Sequence, residues 1–186
     1  MYRIRDSIAV GGQDVNKVKQ WSGPEIGWIK INSDGAFDMN NKEAGSGVIA
    51  RSSEGKFVAG TNRKFTAGSA VQAEAMAVKD AVNLAIERKF QKVCFEMDSK
   101  ELILVLTNKC SNIDWKIRPL VLDIQRLLKL ISERKMMLIS KEANAAANWI
   151  AVNSRRGMCM SGWDRHLPST LVRILNKDGL PCTPIM

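Results

Sequence analysis

Residues 28–37, Trp-Ile-Lys-Ile-Asn-Ser-Asp-Gly-Ala-Phe, constrain the fold more than any other stretch of the chain. Ile29, Ile31 and Ser33 fall on one face at period two, and Trp28, Lys30, Asn32 and Asp34 on the other. The run therefore predicts a β-strand with a carboxylate at its carboxyl end, which is where sheet proteins tend to put sites. Asp34-Gly35 taken alone favours a turn, the commonest use of that dipeptide. Two acids further along give the site reading its weight.

Ser46–Arg51 and Lys56–Gly60 are short β-type runs separated by Ser52-Ser53-Glu54-Gly55, a compact turn whose glycine supplies a positive φ. With the Asp34 strand they predict a three-stranded antiparallel meander. Ser69 then caps a helix over residues 70–87. At about 100° per residue, Val71, Ala75, Val78, Ala81, Val82 and Ala85 form its buried arc and Gln72, Lys79, Asp80, Asn83 and Glu87 its wet one. Glu74 lies within the buried arc. A carboxylate there needs a basic partner, a raised pKa or a metal ion, unless it sits half-exposed at the helix start and is held by the dipole.

Residues 93–98 read as a strand running into a helix from Ser99, and a strand reached by a crossover helix lies parallel to its neighbour. Asp98 thus repeats the Asp34 arrangement. It also resembles the first member of a capping box, with Glu101 three residues on. A helix over 117–131, a strand at 136–139 and a helix over about 142–155 follow. In the last of these, Asn144, Asn148 and Ala151 line one side and Ala145, Trp149 and Val152 another.

The domain expected from this pattern spans residues 28–156. It is preceded by an arm (1–20) and a linker (21–27), and followed by a basic tail (157–186) with a short helix near 167–175. A length of 186 residues with 45% hydrophobic content supports one core. The net charge of +9 favours a polyanionic partner. No run approaches the ~18 apolar residues of a spanning helix, so a soluble, intracellular protein is expected. Cys94, Cys110, Cys159 and Cys182 form no Cys-x-x-Cys pair, and with His166 as the sole histidine, reduced thiols are expected rather than a zinc site or disulfides.

The element order and the placement of the three acids resemble the type 1 ribonuclease H domain. More narrowly, they resemble the reverse-transcriptase-like form found in plant retroelement-derived proteins. The shared features are a lead-in like Trp21 to Asn32, Asp34-Gly35-Ala36, Ala73-Glu74-Ala75, Met97-Asp98-Ser99, Glu142-Ala143-Asn144 and Lys177-Asp178-Gly179-Leu180. The resemblance implies an α/β ribonuclease H-like fold with a mixed five-stranded sheet, three strands antiparallel and then two parallel, flanked by helices. It implies metal-dependent endonucleolytic hydrolysis of the RNA strand of RNA–DNA hybrids by two Mg²⁺ ions, with Mn²⁺ as a substitute. Asp34 would bridge the ions, and Glu74 and Asp98 would help hold the one at the leaving group.

Three positions depart from that pattern. Asn148 stands where the family carries a fourth acid, which implies weaker binding of the water-activating ion. Leu138 replaces a histidine, and Ala70-Val71 an asparagine pair. The alternative function is therefore an inactive nucleic-acid-binding or interaction domain of the same fold; an exonuclease fits the acids less well. Arg51, Lys56, Arg63, Lys64, Arg155 and Arg156 are the expected duplex contacts, with recognition resting on backbone geometry. A monomer without a membrane partner or small-molecule cofactor is expected, and charge and lineage suggest the nucleus.

Overall fold

The central strand of the sheet is the one that carries Asp34. In this computed structural model, which describes residues 20–107, 114–157, 162–163 and 165–178, the elements follow in the order β1 (Ile29–Phe37), β2 (Glu43–Arg51), β3 (Phe57–Thr66), α1 (Ala70–Glu87), β4 (Lys92–Met97), α2 (Lys100–Leu106), α3 (Arg118–Leu128), β5 (Glu133–Leu138), α4 (Ala145–Arg155) and α5 (Ser169–Lys177). The five strands lie in the order β3-β2-β1-β4-β5. β1 pairs antiparallel with β2, β2 antiparallel with β3, and β4 parallel with both β1 and β5. This is the expected fold class. The arm expected over residues 1–20 lies outside the described residues but for Gln20, as do Cys110, Cys159, Cys182, Gly179 and Leu180.

β1 is buried on both faces, so its two alternating sets of side chains serve two different layers. Ile31 joins Phe95, Val78, Val82, Leu102, Val121 and Ile124 in a core between the sheet and α1, α2 and α3. Each of these large side chains, fully withdrawn from water, contributes about 1.5–3 kcal/mol. On the opposite face α4 packs directly over β2. It can do so because Gly45 and Gly47 present no side chain there: a Cβ on Gly47 would overlap the Ala147 carbonyl oxygen and the Ala151 amide.

That second face is longer than the sequence pattern suggested. Leu171 and Leu175 of α5 join Ile49, Phe57, Ile150 and Trp163 in a core of their own, and the Trp163 indole donates to Asn62 Oδ1 at 2.7 Å. Trp21, expected in a linker, is 3% exposed. Gln20 Nε2 donates to the Lys177 carbonyl at 2.7 Å. The described parts of the lead-in and the C-terminal segment are therefore built into the same packed unit as the sheet.

Local signals behave as expected in several places. Ser69 Oγ accepts from Gln72 N at 3.2 Å, and Gly55 takes φ 74° in the β2–β3 turn. Of the arc expected to be buried on α1, Ala75, Val78, Ala81, Val82 and Ala85 are buried. The Asp34-Gly35 turn does not form: β1 continues through Gly35 and Ala36 to Phe37, paired to β2 throughout. The Asp98 capping box does not form either. Ser99 caps α2, accepting from Leu102 N at 3.4 Å, which leaves the Asp98 carboxylate clear of the helix end.

Candidate active site

Three elements bring three acids together. Asp34 stands on the central strand, Glu74 on α1 and Asp98 immediately after β4. A carboxylate oxygen from each lies within 4.8 Å of the others. Gly35 makes this convergence possible. A Cβ there would lie 2.5 Å from both the Ala73 carbonyl oxygen and the Glu74 backbone nitrogen, so only glycine lets α1 press onto β1 at this level. Gly35 N in turn donates to Glu74 Oε2 at 3.3 Å. The glycine's role is close approach, not turn formation.

Glu74 is the fifth residue of α1 and its carboxylate is turned onto the acids of the sheet. Burial, reinforced by the charges of Asp34 and Asp98 and by its hydrogen bond to Asp34, pushes its carboxyl up to about 9. Burial and the Asp98 charge also raise Asp34, while hydrogen bonds from Asn148, Glu74 and the Gly35 amide oppose the rise. Burial and mutual charge thus push both carboxyls of this hydrogen-bonded pair upward. Glu74 is half-buried in the first turns of α1, as one reading of the helix pattern has it, and its carboxylate faces the other acids, as the other reading requires.

Asn148, one turn into α4, completes the constellation. It is exposed, and its Nδ2 donates to Asp34 Oδ2 at 2.7 Å. The donor set is therefore three carboxylates and an amide, all able to offer hard oxygen ligands, held close by the fold against a mutual repulsion that a cation relieves. Such a set fits Mg²⁺ or Mn²⁺.

A family profile described as reverse transcriptase-like matches residues 32–154, 123 of the 186. The chain belongs to the reverse transcriptase-like family. All four residues of the constellation fall inside the matched span. This reverse transcriptase-like domain is 33% identical over 89 residues to a candidate ribonuclease H protein of Arabidopsis thaliana, a match covering 48% of this chain and 14% of that one. Its fold is that of ribonuclease H1. The enzyme of Halobacterium salinarum superposes with a TM-score of 0.67 at 22% identity, covering 70% of this chain and 98% of that one. A compost-derived ribonuclease H1 solved in complex with an RNA/DNA hybrid gives 0.64 at 18% identity, covering 70% and 98%.

The basic residues expected to touch a duplex are distributed unevenly over the domain. Arg63 and Lys64 on β3, and Arg155 and Arg156 at the end of α4, lie toward the same end of the sheet as the acids. Each of the first three is already paired: Arg63 with Asp80, Lys64 with Glu43 and Arg155 with Asp38. Lys56 lies near the opposite end, beside the β2–β3 turn, and pairs with Glu54. Arg51 is a correction. It is 1% exposed, its guanidinium stacked 3.5 Å from the Trp21 ring and paired with Asp178 at 2.6 Å, so it is interior and has no surface to offer a phosphate.

Sequence reasoning missed a buried polar group directly below the acids: Asn32, Glu96 and Asn144, together with Lys30 and Arg51. The period-two pattern does place Lys30 and Asn32 on the Asp34 face. That alternation carries no information about the partners of Asn32, which lie 64 and 112 residues away. Among the described residues, no helix is long and apolar enough to cross a membrane.

Proposed function

We propose that this domain is a divalent-metal-dependent endonuclease that hydrolyses the RNA strand of RNA–DNA hybrids. The observation that carries this reading is the convergence of Asp34, Glu74 and Asp98 from three elements to within 4.8 Å. A protein has little reason to crowd one buried and two half-buried acids together unless a cation is to join them. Asp34, Glu74 and Asp98 would hold the ions, with the Asn148 amide oxygen as a weaker fourth ligand. Bound ions supply the positive charge that activates water for attack and neutralises the phosphodiester.

The chain's own contribution is orientation. Gly35 holds α1 against β1, so that Glu74 and Asp34 face one another. The Ser99 cap frees Asp98 for the site. The cations near the acid-bearing end of the sheet, Arg63, Lys64, Arg155 and Arg156, would follow the duplex backbone, with affinity set by phosphate contacts and therefore by salt.

A second reading rests on Asn148. As a hydrogen-bond donor to Asp34 it brings no charge to the ion, which favours a domain that binds hybrid without cutting it. Labelling each strand of an RNA–DNA hybrid in turn separates the two. Internal cuts in the RNA strand alone, abolished by EDTA, are the expected result. Salt-sensitive binding with both strands intact in Mg²⁺ and in Mn²⁺ would favour the binding domain.

A further inference from the structure

One step below the site, the elements that carry Asp34, Asp98 and Asn148 meet a second time. Asn32 precedes Asp34 by two residues on β1, and Glu96 precedes Asp98 by two at the end of β4. Asn144, the N-cap of α4, precedes Asn148 by about one helical turn. Asn32 and Glu96 are register partners in the parallel ladder. Asn32 Nδ2 donates to Glu96 Oε2 at 2.9 Å and to Asn144 Oδ1 at 3.4 Å, and Asn144 Nδ2 donates to the Ser33 carbonyl at 3.0 Å. None of the three is more than 3% exposed.

The Asn32 amide is saturated. Its two N–H groups go to Glu96 and Asn144, and its oxygen accepts from Trp21 Nε1 at 2.9 Å and from Arg51 at 3.3 Å. Glu96 is neutralised by Lys30 at 2.7 Å, and Lys30 also donates to the Ser22 carbonyl at 2.7 Å. Buried ionic and amide groups add little net stability over apolar residues of the same volume. They do impose direction. Sliding β1, β4 or α4 against the others leaves a buried donor or acceptor unmade, whereas an apolar layer tolerates such shifts.

We infer that Asn32, Glu96 and Asn144 form a positioning layer that sets the spacing of Asp34, Asp98 and Asn148 for ion binding. The inference rests on the proposed metal-dependent reading of the site. None of the three touches the ions; they act through the residues above them. The lead-in and the C-terminal segment enter the layer through Trp21 and the Arg51–Asp178 pair.

The test is Mn²⁺ affinity, measured by calorimetry on folded protein well below its melting temperature. Asn32→Asp sets two carboxylates against each other, and loss of such supporting contacts costs about tenfold or more in ion affinity. Added negative charge alone would tighten binding, so weakening reports geometry. Asn32→Asp combined with Glu96→Gln restores a donor–acceptor match at unchanged net charge. It is expected to recover most of the affinity that Asn32→Asp loses, a regain on the order of tenfold. Should Asn32→Asp not fold, Asn144→Ala is expected to weaken Mn²⁺ binding in the same sense. Variants that melt earlier yet bind Mn²⁺ as wild type does would overturn the inference, because a merely structural layer moves stability alone. A wild type that binds no divalent ion overturns the metal reading, and the layer's role with it.

Discussion

Asn148 Nδ2 lies 2.7 Å from Asp34 Oδ2, and because a carboxylate only accepts, the amide must turn its donor side to the acid. Asn148 thus brings a hydrogen bond to the site and no charge. That contact partly offsets the crowding of the acids while lowering the charge available to a cation. Asn148→Asp is therefore expected to raise Mg²⁺ affinity by about tenfold and to lower the melting temperature in EDTA, where a fourth carboxylate faces the other three. Calorimetric Mg²⁺ titration and thermal melts check both arms. Unchanged ion affinity would remove Asn148 from the site.

Glu74 gives the ion-stripped protein a characteristic pH dependence. Its folded carboxyl stands near 9 against an ordinary 4.5. Below the ordinary value both folded and unfolded chains bind the proton. Between the two values only the folded chain keeps it, so stability falls as pH rises and the loss is complete above the folded value. Asp34 is shifted in the same direction. Denaturant melts in EDTA should therefore lose a few kcal/mol between about pH 5 and 9, and saturating Mg²⁺ should flatten the profile. Stability that rises over that window in EDTA would contradict this account.

Gly35→Ala introduces a methyl group where backbone atoms of Ala73 and Glu74 stand 2.5 Å away. Neither the strand nor the helix start can yield without parting Asp34 from Glu74. A loss of about 3 kcal/mol, at the upper end for overpacking, is expected by chemical denaturation. A near-neutral result would mean that α1 is not seated where the acids require it.

The buried and the exposed cations should separate cleanly. Arg51→Ala leaves Asp178 without its partner and opens space beside Trp21, for a cost of about 3–5 kcal/mol. Lys64→Ala and Arg156→Ala should leave stability within about 0.5 kcal/mol. Each should instead lower hybrid affinity and reduce its salt dependence by about one phosphate contact. Melts paired with binding at two or more salt concentrations test both halves.

What the sequence made legible was local. Period-two alternation located β1, the Ser52–Gly55 turn located the hairpin, and the alanine-rich arc and Ser69 located α1 together with its misplaced acid. These patterns anticipated the antiparallel meander and a parallel β4, and the resemblance to the ribonuclease H domain supplied the full five-stranded sheet. Long-range contact was not legible. Gly35 looks like a turn residue until α1 is known to press upon it, and Asp98 looks like a cap until Ser99 is seen to take that role. Arg51 looks like a surface cation, because the groups that bury it, Trp21 and Asp178, lie 30 and 127 positions away and follow no period. α5 was anticipated as a short helix, but its packing against Ile49 and Phe57 depends on a sheet face that β2 and β3 assemble.

Cleavage of an end-labelled RNA–DNA hybrid in Mg²⁺ by wild type, Asp34→Asn and Asn148→Asp is the assay on which the three-acid site stands or falls. Wild type should cut the RNA strand slowly, Asn148→Asp about tenfold faster, on the scale of a restored metal-supporting contact, and Asp34→Asn not at all. Cleavage that survives Asp34→Asn, or a silent wild type whose Asn148→Asp variant is silent too, would contradict the assignment of the acids to catalysis.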